Sequence, residues 1–113
     1  MQRINIGEFE ELILLTVGVL YPEAYGVGIK NEIASRTNRN PKLSAVHAGL
    51  QRLKEKGLLV SEFGEATSVR GGKRKKLFQI TSQGSRILAE SRALRNELWN
   101  EIPKIALMDY NGF

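Results

Sequence analysis

The chain has no cysteine, one histidine, one tryptophan and only three prolines in 113 residues. Without cysteine there are no disulfides, no thiolate metal sites and no thiol nucleophiles. His47 has no second histidine or cysteine to share a metal ion with, so no metal or other cofactor is expected. Long apolar runs are also missing. The longest, Leu12 to Leu20, is broken by Thr16 and Gly18 and is too short to span a bilayer. The amino terminus, Met1-Gln2-Arg3-Ile4-Asn5, lacks the tripartite pattern of a secretory signal. The sequence therefore predicts a soluble, cytoplasmic protein with no membrane partner. Catalytic groupings are scarce as well. Gly26-Val27-Gly28 lacks the third glycine and the preceding strand of a phosphate-cradling loop. The carboxylate pairs Glu8/Glu11 and Glu10/Glu11 are expected on an exposed face with no base or nucleophile beside them. An enzyme is not expected.

What the chain does have is positive charge. Seventeen lysines and arginines against twelve acidic residues give a formal net charge of +5, a balance that suits a polyanionic partner. The apolar periodicity predicts four helices. The first, from Gly7 to Leu20, carries Phe9, Leu12, Ile13, Thr16, Val17 and Leu20 on one wide face, with Leu14, Leu15 and Val19 outside it. Apolar on more than one side, it is expected to lie between its own domain and a second subunit. Pro22 ends it. A second helix, from Tyr25 or Gly26 to Arg36, points Ile29 and Ile33 inward. A polar turn, Thr37 to Lys42, precedes a third helix over Ser44 to Lys56. Ser44 is its first-turn or capping residue, and Gly57 is its left-handed terminator.

The third helix and the two dozen or so residues after it carry the functional signal. Val46, Leu50 and Leu53 form its inner face. The other side shows Ser44, Ala45, Ala48, Gln51, Arg52 and Glu55, with His47 on the flank. Small outward residues let a helix approach a groove floor. Glutamine and arginine can make bidentate hydrogen bonds to adenine and guanine edges. An ordinary solvated face has the same composition, so the neighbours must decide. Two short apolar runs come next, Leu58–Phe63 and Leu77–Ile80, joined by a loop in which Arg70, Lys73, Arg74, Lys75 and Lys76 place five cations in seven positions. Gly71-Gly72 permits a sharp turn there. A helix sized for the major groove beside a basic hairpin is the layout of a winged helix-turn-helix. Thr81 can cap a fourth helix running to about Glu101, with Ile87, Leu88, Leu94, Leu98 and Ile102 spaced by threes and fours. Pro103 ends or kinks it, and Ile105 to Met108 could add a further turn. Trp99, one position off that stripe, reads either as dimer or core packing or as a flat wall for an aromatic ligand.

Several segments in this order resemble the PadR-like winged-helix transcriptional regulators, specifically the short members with one carboxy-terminal helix. They are Gly7-Glu8-Phe9-Glu10-Glu11-Leu12-Ile13-Leu14-Leu15, Ala24-Tyr25-Gly26-Val27-Gly28-Ile29, Val46-His47-Ala48-Gly49-Leu50-Gln51-Arg52-Leu53 through Leu59, Arg70 to Phe78, and Ile80-Thr81-Ser82-Gln83-Gly84. No one segment is specific, but the ordered set is. The resemblance implies Ser44, His47, Lys73 and Arg74 as DNA-facing residues. It also implies a homodimer, usually a repressor, whose last helix pairs across the two-fold and in some members binds aromatic compounds there. One departure stands out: these regulators usually have a tyrosine where this chain has His47.

The expected fold is thus α+β, mostly α. A winged helix-turn-helix of three helices and a two-stranded wing (1–81) forms one structural unit with a dimerisation helix and tail (82–113). The expected partners are a double-stranded DNA operator, a second copy of the chain and an aromatic effector against Trp99. The DNA-facing set is Lys42, Ser44, His47, Ala48, Gln51, Arg52, Arg70, Lys73, Arg74 and Lys75. The dimer-facing set is Leu12, Leu15, Leu94, Leu98, Trp99 and Ile102. The alternative is a winged-helix protein-interaction module that touches no DNA.

Overall fold

A computed structural model describes residues 4–64 and 74–108. The elements run α1 (Glu8–Leu20), α2 (Gly26–Arg36), α3 (Leu43–Glu55), β1 (Leu59–Phe63), β2 (Lys76–Ile80) and α4 (Ser82–Glu101), with a 3₁₀ turn at Lys104–Leu107 after them. This mostly helical, two-stranded architecture is the winged helix the sequence predicts. The three short helices surround one core of Ile13, Leu14, Val17, Ala24, Ile29, Ile33, Val46, Leu50 and Leu53, closed by Leu58, Leu59 and Phe78 from the wing side.

Local chemistry sets the helix ends. Glu8, Glu10 and Glu11 occupy the first turn of α1, where carboxylates complement the helix dipole. Thr37 closes α2 by donating its hydroxyl to the Ile33 carbonyl at 2.8 Å and accepting the Arg39 N–H at 3.0 Å. Gly57 terminates α3 with φ +78°. Its N–H reaches the Lys54 carbonyl at 3.0 Å, while the Leu58 N–H reaches that of Leu53 at 2.9 Å, the paired bonds of a Schellman ending. The chain therefore leaves α3 with Leu58 already buried.

The wing pairs antiparallel from Leu59 opposite Ile80 to Phe63 opposite Lys76. The Phe78 N–H also donates to the Ala24 carbonyl at 2.8 Å, which ties the base of the wing to the segment between α1 and α2. Thr81 caps α4 by accepting the Gly84 N–H at 3.0 Å and donates its own hydroxyl to the Gly57 carbonyl at 2.8 Å. The start of α4 is thereby fixed to the end of α3. Only the first part of α4 meets the core, through Ile87 and Leu88. From Arg92 to Glu101 every residue is exposed, and the molecule is elongated, 62 × 38 × 20 Å. Among the described residues no helix is long and apolar enough to cross a membrane.

Candidate nucleic-acid interface

Helical geometry at 100° per residue puts Ser44, Ala48, Gln51 and Glu55 along the line opposite the buried Val46–Leu50–Leu53 face, and all four are exposed. Lys42, also exposed, holds the N-cap position of α3. One flank of the helix faces α2 and the wing, the other α1. The two are chemically different.

On the wing flank the His47 ring lies against Gly26. A Cβ built on Gly26 would stand 2.4 Å from His47 Nε2, so glycine is what allows α2 and α3 to approach here. A cleft of about 400 Å³ separates α3 from the wing, lined by Tyr25, His47, Gln51, Lys75, Lys76 and Phe78 among others. Lys75 Nζ sits 4.1 Å above the Tyr25 ring, a cation–π contact that orients this cation beside α3. The predicted helix-plus-wing arrangement is therefore one surface, with Gln51 and His47 on one wall and Lys75 and Lys76 on the other. Arg74 is exposed at the wing's described end. Arg70, Gly71, Gly72 and Lys73 lie outside the described residues.

On the other flank the cations are engaged within the protein. Glu10 is only 8% exposed. Its Oε2 accepts from Arg52 Nε at 2.8 Å and its Oε1 from Lys56 Nζ at 2.6 Å. Lys56 Nζ also donates to the Asn5 carbonyl at 2.8 Å. Glu8 pairs with Arg39 in the turn before α3, and Glu11 accepts the Ser91 hydroxyl of α4 at 2.6 Å. The expectation that Glu10 lies on an exposed face is thus wrong. The sequence does hold the missed signal: Glu10 falls three, four and seven residues before Ile13, Leu14 and Val17 and so lies on the buried stripe. Arg52, expected on the groove-facing side, instead reaches back to α1.

Burial alone would push the Glu10 carboxyl up. The hydrogen bonds and charges of Lys56 and Arg52 outweigh it and hold the group below the ordinary glutamate range. A carboxyl lowered on folding stabilises the protein above its unfolded value, and that contribution is lost as pH falls through the folded one. Its cationic partners are 50% and 32% exposed, so Glu10→Gln should cost only about 1 kcal/mol at pH 7. Urea melts at pH 7 and pH 3 should show that gap closing in acid. A gap that persists at pH 3 contradicts the ion-pair assignment.

The dimer-facing set divides in two. Leu12 is partly buried against the chain's own core. Leu15, Leu94, Leu98, Trp99 and Ile102 stand 48%, 54%, 58%, 62% and 37% exposed. Leu14, one of the apolar residues outside the wide face of α1, is fully buried within the chain itself.

Comparison with known proteins agrees with this geometry. The chain is similar to a PadR family transcriptional regulator from Eggerthella lenta (25% identity, 90% of this chain and 88% of that one, TM-score 0.66). In fold it is similar to PadR family regulators from Clostridium difficile (20% identity, 83% and 93%, TM-score 0.69) and Bacillus cereus (18% identity, 89% and 93%, TM-score 0.70). No curated protein matches it. The family model matches residues 13–90, more than half of the chain, from within α1 through the wing into α4, and the chain belongs to the transcriptional regulator PadR-like family.

Proposed function

We propose that this regulator is a cytoplasmic homodimeric repressor that binds a double-stranded DNA operator. The observation that carries the reading is the partition of charge around α3. Arg39, Arg52 and Lys56, on the α1 side, each have a carboxylate partner. Lys42, Arg74, Lys75 and Lys76 have none among the described residues. Two α3 helices enter major grooves of a two-fold operator, with half-sites about 10–10.5 bp or a multiple apart. Ser44, His47, Ala48 and Gln51 face base edges, and the wing cations with Lys42 follow phosphate. The exposed faces of α1 and α4 cover each other across the two-fold. A planar aromatic effector against Trp99 releases the operator only if it favours one spacing of the two α3 helices over the other.

The test is a footprint on the promoter region of the adjacent operon with excess competitor duplex. Protection of a two-fold site is expected, and binding that competitor abolishes completely would overturn the reading. Wing contacts have their own signature. Arg74→Ala should weaken binding to every sequence and flatten the slope of log affinity against log salt by about one. An unchanged slope with lost discrimination would show that Arg74 reads bases instead.

A further inference from the structure

The two cations on the α1 side of α3 raise a question of their own. Arg52 and Lys56 lie one turn apart on the helix that the proposed function places in the groove, and both retain solvent exposure, 50% and 32% of their side chains. Basic side chains on the flank of such a helix would be expected to bind phosphate. Here each is bound by one oxygen of a single carboxylate that is itself nearly buried, Glu10, with a side chain 10% exposed. Lys56 is held twice over, since its ammonium also donates to the Asn5 carbonyl at 2.8 Å.

We propose that Glu10 is a specificity-determining residue, which acts as an internal stand-in for phosphate and keeps Arg52 and Lys56 from sequence-independent contact with the DNA backbone. The proposal rests on the DNA-binding reading and deepens it. A charge-assisted hydrogen bond to an ionised, desolvated carboxylate is among the stronger polar contacts a protein makes. A phosphate that drew both cations away would strand a buried, unpaired anion, a state proteins avoid. The exchange is therefore unfavourable even when a duplex lies alongside. Phosphate contacts raise affinity for all sequences equally and carry no sequence information themselves. Withholding two of them leaves a larger share of the binding to the groove-facing residues Ser44, His47 and Gln51. Binding thus stays discriminating in a chain of net charge +5.

Glu10→Gln tests this, because an amide keeps the shape but not the charge and releases both cations. The full-length variant and the wild type are titrated with an operator duplex and a random duplex between 50 and 200 mM salt, after thermal melts have shown both to be folded. For the variant, the expected result is a gain in random-duplex affinity at low salt and a salt slope steeper by up to two. Its affinity loss across that salt range then grows by roughly tenfold. Adding Arg52→Gln and Lys56→Gln should abolish the gain. A purely structural role for Glu10 predicts lower affinity for both duplexes at an unchanged slope, and that result overturns the proposal. Lys56→Gln alone provides a second test should Glu10→Gln melt early: the slope is expected to stay at its wild-type value. A slope flatter by one would mean that Lys56 already touches phosphate, which also overturns it. Wild-type protein that binds neither duplex would instead refute the DNA-binding reading, and the inference with it.

Discussion

Glutamate at Leu94 or Leu98 should convert the protein to a monomer and cost at least a hundredfold in operator affinity. The distal half of α4 explains why. From Arg92 onward its residues are exposed, yet Leu94, Leu98 and Trp99 on it and Ile102 at its C-cap recur at spacings of one, three and four, all at least 37% exposed. An isolated helical segment of that length is marginal in water, and single exposed leucines are unremarkable. A repeated apolar stripe on a protruding helix is a different matter, because it is stable only when something covers it. Leu15 and Val19 on α1, 48% and 56% exposed, supply a matching surface. In the proposed dimer a second copy would bury both faces at once. A dimer on a two-fold site gains from binding its second half-site intramolecularly, an advantage of about 10²–10⁴, and a monomer forfeits it. Sedimentation equilibrium should show single chains, and far-ultraviolet circular dichroism should show lost helicity as the distal half of α4 frays. A Leu98→Glu protein that still sediments as a dimer sinks the assignment.

How far the sequence could be read depended on the range of the interactions involved. Local signals were legible. The Thr81 cap, the Gly57 terminator and the apolar spacing of α1 to α3 act within a few residues, and the structure reproduces each. The union of α3 with the wing was legible too, because short apolar strands flanking a basic loop leave few ways to fold beside a helix. The fate of individual charges was not. Glu10 and its partners Arg52 and Lys56 are 42 and 46 positions apart, and no periodicity links them. Arg52 looked like a groove-facing residue because a helical wheel puts it within reach of the outward line. What turns it toward α1 is an oppositely charged group on another element. Likewise the fit of His47 against Gly26 depends on how closely two helices cross, which neither helix encodes alone.

Close approach of backbones also singles out Gly84 as the site where one methyl group does the most damage. Gly84 is in the first turn of α4 and buried. A Cβ there would stand 2.4 Å from the Leu58 carbonyl oxygen and 2.9 Å from Ile80 Cγ2. The side chain of Ile80 can shift, but the Leu58 carbonyl cannot. It accepts the Thr81 N–H at 3.1 Å, and the Leu58 N–H is itself committed to Leu53 at 2.9 Å. To make room, Gly84→Ala must therefore lift the start of α4 or spoil the ending of α3. Alanine's better helix propensity returns up to about 1 kcal/mol, but overpacking against fixed backbone costs more. The expected net loss is about 2 kcal/mol, seen as a melting temperature lower by roughly 10 °C. Because α4 carries the proposed dimer face, dimer dissociation should shift to higher protein concentration in the same variant. Gly49→Ala is the control. Its Cβ would meet the tip of the Ile13 side chain, Cδ1, at 2.5 Å, an atom that a rotamer change can move, and a much smaller loss is expected. If Gly84→Ala melts at or above the wild-type temperature, the contact between the start of α4 and the end of α3 is not the rigid joint described.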